Sequence, residues 1–134
     1  MTCLMNELHE IFKDVIYQND KWTIEWGKVR GDFKKYMDKK GYKHFCFITP
    51  YNPCNTIIDD NSNIRRLEKL KNKIEKWKFK EALSRHTKSD YPPERGYVIF
   101  DITKEDAKKL QKDFEQVAIL YGDKKECDFL WLDK

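Results

Sequence analysis

From residue 42 onward, apolar strand-like runs alternate with amphipathic helical runs, and this order constrains the fold more than any other feature of the sequence. The strand-like runs are rich in aromatic and β-branched residues and are bounded by turn residues. They lie at 42–49, 96–102, 117–122 and 126–132. A further strand is expected from about residue 79, because the helix that follows the first strand needs a return to the sheet.

Two helices are predicted between these strands from apolar residues at helical spacing. The first spans 62–77 and the second follows Thr103, with Glu105 and Asp106 in its first turn, where carboxylates complement the helix dipole. Their predicted buried stripes are Ile64, Leu67, Leu70, Ile74 and Trp77 on the first helix, and Ala107, Leu110 and Phe114 on the second.

The resulting order, β-α-β-β-α-β with one added C-terminal strand, predicts an α+β fold of the ferredoxin-like sandwich type with both helices on one face. Ahead of it, an amphipathic helix at 2–13, a hairpin turning at 18–20 and a short helix ended by Gly41 are expected to extend or cap the sheet. We expect one domain over 1–134, with 1–41 as the extension and 42–132 as the core.

Composition excludes several classes of protein. Of the 134 residues, 14% are aromatic, enough to build a core, so wholesale disorder is excluded. No apolar run approaches the ~20 residues that cross a bilayer. The first residues also lack the basic and then apolar pattern of a secretory signal. The sequence therefore predicts a cytoplasmic protein that does not act at a membrane.

The positive charge is concentrated in one segment. Residues 61–100 hold eleven basic and five acidic side chains, whereas the rest of the chain is balanced or slightly acidic. Four of the arginines lie there, and the planar guanidinium suits phosphate oxygens. This segment is where an anionic partner is expected, although a solvated helix face would give the same pattern. The arginines are Arg65, Arg66, Arg85 and Arg95.

The cysteines and histidines give no metal-binding pattern. The chain has no C-x-x-C pair, and Cys46 and Cys127 are predicted to be buried thiols because they lie within apolar strands. His86, Asp90 and Glu94 are too irregularly placed for a metal site, because two prolines interrupt any helical register between them. No metal and no cofactor are predicted.

Four segments in order resemble the bacterial and phage family called domain of unknown function 3293. The strand exit at 48–53, Ile-Thr-Pro-Tyr-Asn-Pro, is similar to the family's T-A-W-N-P, and Asn63 with Arg66 is similar to its N-x-x-R helix. Segments 92–97 and 114–120 resemble its W-P-E and Q-N-A motifs. Tyr51 and Val117 depart from the family's Trp and Asn. The resemblance supports the fold and, through its phage members, suggests a counter-defence role.

Nine residues are candidate ligand-binding residues. Asn52 is held between two prolines, and the basic helix begins near it, where free backbone N–H groups favour anions. The loop before the strand at 96–102 could close a pocket, and Gln116 could either support the Asn-Pro loop or form part of that pocket. The set is Tyr51, Asn52, Asn63, Arg65, Arg66, Arg85, His86, Glu94 and Gln116.

These features favour non-enzymatic binding of a small phosphorylated ligand, such as a nucleotide signal that a phage-type protein would sequester. The alternatives are binding of RNA or single-stranded nucleic acid, and inhibition through contact with a host protein. The sequence contains no G-x-S-x-G, phosphate-loop or H-E-x-x-H motif that would indicate an enzyme. Cys54 with His86, or Glu94 with His86, would be the groups for catalysis. The sequence is compatible with a monomer and with an oligomer.

Overall fold

Eight antiparallel strands form a single sheet that curves until its two edges almost meet. The computed structural model describes residues 8–132. The order across the sheet is β2-β1-β5-β6-β4-β7-β8-β3. The strands are β1 Val15–Gln18, β2 Thr23–Glu25, β3 Gly27–Lys28, β4 His44–Ile48, β5 Lys78–His86, β6 Glu94–Phe100, β7 Ala118–Asp123 and β8 Glu126–Trp131. Because β2 and β3 are the edge strands and only Trp26 separates them, the sheet is nearly closed.

Four helices accompany the sheet in the described residues, and their ends follow from local chemistry. They are α1 at 8–12, α2 Gly31–Lys40, α3 Asp60–Lys73 and α4 Lys104–Asp113. Gly41 ends α2 in the left-handed conformation at φ 74°, as predicted. Asp59 and Thr103 cap α3 and α4 by accepting backbone N–H bonds from Ser62 and Asp106. None of these described helices has both the length and the apolar character that crossing a bilayer would require.

The central strands are buried on both faces, which explains their nearly continuous apolar sequence. One face, with Ile48 and Ile99, packs against α3 and α4 in a cluster that includes Leu70 and Phe114. The other face, with Phe45, Phe47, Val98 and Phe100, packs against α2 and the first strands in a second cluster. The protein is therefore an α+β fold in which α3 and α4 share one face of an antiparallel sheet. Cys46 and Cys127 are buried, as predicted.

The first predicted helix of the core is wrong in its bounds and partly wrong in its buried stripe. It covers Asp60–Lys73 and not 62–77, because Asp59 caps it early and Ile74 already adopts the conformation that ends it. Trp77 therefore lies beyond the helix and is half-buried. Ile64 is 45% exposed, whereas Asn63 is 3% exposed. The polar residue takes the inward position one turn before Leu67.

The N-terminal segment was predicted in part. Residues 8–12 are helical and the hairpin of β1 and β2 is present, whereas residues 2–7 of the predicted helix at 2–13 lie outside the described residues. The sequence did not predict β3, a two-residue strand that pairs with β8 at Gly27 and Lys28. Such a short edge strand has no periodicity of its own, so only its partner defines it.

Candidate functional site

The chain leaves β4 through a strained corner. Asn52, Cys54 and Asn55 have φ values of 51°, 51° and 58°, which lie in the left-handed region that side chains disfavour. Each such residue costs on the order of 1 kcal/mol and persists only where its surroundings fix it. The contacts that fix this corner come from α3, from β6 and from the segment between α4 and β7.

Asn52 and Asn63 bind each other through two hydrogen bonds. The Asn52 backbone N–H donates to Asn63 Oδ1 over 2.9 Å, and Asn63 Nδ2 donates to Asn52 Oδ1 over 3.0 Å. Asn52 Oδ1 also accepts the backbone N–H of Ile58. Asn63 is buried on α3, so this pairing anchors the corner to the helix. The inward-facing asparagine of α3 is therefore a positioning residue.

Arg66 and Gln116 join the corner to the segment that follows α4. The Arg66 guanidinium donates from Nε to the Pro50 carbonyl over 2.6 Å and from Nη2 to the Phe114 carbonyl. Gln116 Nε2 donates to the carbonyls of Tyr51 and Phe114. The Cys54 N–H donates to the Glu115 carbonyl over 2.7 Å. Arg66 thus stabilises two segments of backbone that are 64 residues apart in sequence.

Glu94 lies at the start of β6 and receives two hydrogen bonds on one carboxylate oxygen. Asn52 Nδ2 donates to Glu94 Oε2 over 2.9 Å, and Tyr91 Oη donates to the same oxygen over 3.0 Å. Burial raises the pKa of the Glu94 carboxyl above its ordinary value, and these two bonds oppose the shift without cancelling it. The structure gives Glu94 no salt bridge to a described residue.

A cavity of about 500 Å³ lies beside this corner, between the curved sheet and α1. Its walls are mostly apolar and aromatic, and a few polar groups reach it. The lining includes Leu8, Ile11, Phe12, Val15, Tyr17, Phe47, Thr49, Tyr51, Ser84, His86, Tyr91, Glu94, Gln116, Leu120 and Phe129. A cavity of this size and character, with few convergent polar groups, is typical of a site for a small organic ligand.

The structure brings some of the nine candidate residues to the cavity. Tyr51, His86, Glu94 and Gln116 line it directly. Asn52 does not line it but orients Glu94. His86 Nδ1 accepts the backbone N–H of Lys88, which leaves Nε2 as the nitrogen that carries the proton in a neutral ring.

The other candidates lie away from the cavity. Asn63 does not line the cavity and binds Asn52, and Arg66 does not line it and donates to the backbone carbonyls of Pro50 and Phe114. Arg65 is exposed, and its one hydrogen bond to a described residue is donated to Ser62 Oγ over 3.2 Å. Arg85 is also exposed and donates a hydrogen bond to Gln18 on the neighbouring strand β1. The described lining therefore contains His86 and no lysine or arginine, and the arginine pair of α3 does not face into it.

Sequence reasoning missed several residues of the site. Tyr91 contacts Glu94, and Ser84 lines the cavity two residues before His86, a spacing that the strand period would have indicated. Leu8, Ile11 and Phe12 lie in the segment predicted to form an amphipathic helix, but their place in the cavity depends on how that segment packs against the sheet.

Neither catalytic pair considered from sequence is joined by a hydrogen bond. Cys54 is exposed and does not line the cavity, whereas His86 does. Glu94 and His86 both line the cavity, and the structure gives no hydrogen bond between them. Within residues 8–132, no group of three or more histidine, cysteine, aspartate or glutamate side chains is arranged to hold a metal ion.

The fold and the site define an α+β protein with a nearly closed antiparallel sheet and a ligand-sized cavity at the exit of β4. A family model described as a protein of unknown function, DUF3293, matches residues 48–119. The chain therefore belongs to this family, and the matched region runs from the end of β4 into β7. Comparisons with curated proteins and with solved structures found no match. Of the residues that carried the resemblance, Tyr51, Glu94 and Gln116 line the cavity, and Asn52, Asn63 and Arg66 form hydrogen bonds at the corner.

Proposed function

We propose that the protein binds a small ligand of the nucleotide class without turning it over, and that the ligand's base occupies the cavity beside Glu94. The single observation that supports this proposal is the cavity itself, a mostly apolar space of about 500 Å³ whose lining includes the Glu94 carboxylate and the Gln116 amide. A nucleobase is planar, stacks on aromatic rings and needs a few hydrogen-bonding partners.

The position of the arginines changes which part of the ligand the protein would hold. A phosphate inside the cavity would meet His86 as the one basic group of the described lining, and would lose its hydration against apolar walls. We therefore propose that the base enters the cavity and any phosphate remains at the solvent. Nucleosides and their 5′-monophosphates should then bind with affinities within about tenfold of one another.

Blocking the cavity tests the proposal. Ser84 lines the cavity from β5, and its neighbour Leu83 points to the opposite face and is 41% exposed. Ser84→Trp is expected to weaken binding at least tenfold, because the indole fills part of the ligand space, whereas the matched variant Leu83→Trp should bind as the wild type does. The measurement is calorimetric titration with a panel of nucleosides and monophosphates.

Two outcomes of that titration would contradict the proposal. One is no heat with any member of the panel, and the other is equal binding by both tryptophan variants. Binding of long RNA alone, with steep salt dependence and no response to mononucleotides, would instead favour the nucleic-acid alternative.

We also propose that β4 to β7 with α3 and α4 form a ferredoxin-like unit. Two observations support this: the order β5-β6-β4-β7 within the sheet and the packing of both helices on one face. On this proposal, the N-terminal strands and β8 are additions that close the sheet around the ligand cavity.

A further inference from the structure

We infer that the cavity selects a planar nitrogen heterocycle that presents an N–H donor to Glu94 Oε1. This inference deepens the proposed function and rests on it. It names the feature of the base that the site reads, which neither the fold nor the family assigns.

The two carboxylate oxygens of Glu94 differ in the hydrogen bonds that they accept. Oε2 already accepts from Asn52 Nδ2 and from Tyr91 Oη, at 2.9 and 3.0 Å. Oε1 accepts no hydrogen bond from the residues that the structure describes. It is not sealed in protein either, because no fully buried side-chain oxygen in the described chain lacks a partner. Oε1 is therefore an open acceptor on a residue that lines the cavity.

An accessible acceptor on a residue of the cavity wall discriminates between the ligands that reach it. A carboxylate oxygen accepts and cannot donate while it is ionised. A ligand N–H placed against Oε1 forms a charge-assisted bond, whereas a ligand lone pair placed there leaves both groups unpaired. Sites that require a hydrogen bond reject analogues that lack it far more strongly than apolar contacts do.

The walls of the cavity restrict the donor to a neutral, flat group. Tyr17, Phe47, Tyr51 and Phe129 present rings around the space, and a planar heterocycle packs against rings at low entropic cost. An alkylammonium group would also donate to Glu94, but its full charge would lose hydration among these apolar side chains. A ring N–H or an exocyclic amino group supplies the donor without that penalty.

Three nucleosides test the inference on the unmodified protein. Adenosine and guanosine carry N–H donors on the base, and purine riboside has the same sugar and ring system with no N–H on the base. We expect purine riboside to bind at least tenfold more weakly than the better of the other two in calorimetric titration.

Glu94→Gln then tests whether Glu94 is the residue that accepts the hydrogen bond from the ligand N–H group. The amide oxygen can keep the bonds from Asn52 and Tyr91, which turns the –NH₂ group toward the position of Oε1 and replaces an acceptor with a donor. The preference over purine riboside should fall to within about threefold. Glu75→Gln makes the same chemical change at an exposed position after α3 and should leave the preference intact.

The outcomes separate the two proposals. Equal binding of all three nucleosides to the wild type, abolished by Ser84→Trp, would overturn this inference and leave the proposed function standing. A preference that survives in Glu94→Gln would also overturn it. If none of the three binds, the inference fails, and the proposed function fails as well only when the wider panel gives no heat. The wild-type comparison decides the matter even if Glu94→Gln does not fold.

Discussion

Replacing Arg66 with methionine is expected to lower the free energy of unfolding by about 3 kcal/mol. Methionine preserves most of the length and apolar stem of the side chain but removes the donors to the carbonyls of Pro50 and Phe114. The Phe114 carbonyl keeps a bond from Gln116 Nε2, whereas the structure gives the Pro50 carbonyl no other described donor. The loss is measured by equilibrium urea denaturation.

The neighbouring arginine provides the control for this prediction. Arg65 is exposed, and among the described residues its side chain donates one hydrogen bond, to Ser62 Oγ, so Arg65→Met should change stability by no more than about 0.5 kcal/mol. Equal effects of the two substitutions would show that Arg66 does not join the corner to the segment after α4. The pair also separates a structural arginine from a ligand-binding one, because Arg65→Met should leave nucleoside affinity unchanged.

Gly96→Ala is expected to cost about 3 kcal/mol of stability. A Cβ atom at Gly96 would lie 2.5 Å from the Ile48 carbonyl oxygen, 2.7 Å from Phe47 Cζ and 3.0 Å from Thr49 Cα. Two of these are backbone atoms of the neighbouring chain segment, so β4 and β6 would have to move apart next to the cavity. Thermal and urea unfolding measure the effect.

Gly31→Ala distinguishes crowding from backbone strain. Gly31 has φ 65°, and a Cβ atom at this position would have no described heavy atom outside the adjoining backbone within 4 Å. An alanine at position 31 would lose stability only through its unfavourable backbone conformation, on the order of 1 kcal/mol. If Gly96→Ala cost no more than Gly31→Ala, close approach of β6 to β4 would not be what requires glycine at position 96.

The secondary structure of the core followed from sequence because its elements have strong local signals. Aromatic and β-branched runs marked β4, β6, β7 and β8 to within two residues, and Thr103 marked the start of α4. The start of α3 was less accurate, since several adjacent residues are good caps and only the structure selects Asp59. Closure of the sheet through β3 depends on long-range pairing that leaves no local pattern.

The sequence indicated several residues of the candidate site, but it did not indicate what each of them does. Tyr51, Glu94 and Gln116 were named from sequence and reach the cavity. Arg66 was named for its charge, yet its guanidinium binds backbone carbonyls, because burial of an unpaired carbonyl costs more than an exposed cation gains. Composition shows that a charge exists, whereas only tertiary structure shows what pairs with it.

Amide chemical shifts can show where a nucleoside binds on the protein. Adenosine and guanosine would each be titrated into ¹⁵N-labelled protein, and amide chemical shifts followed. We expect shifts at Ser84, Glu94, Gln116 and Leu120, which line the cavity, and none at Arg65, which is exposed on α3. Shifts confined to the part of α3 around Arg65, or no shifts with either nucleoside, would contradict this expectation.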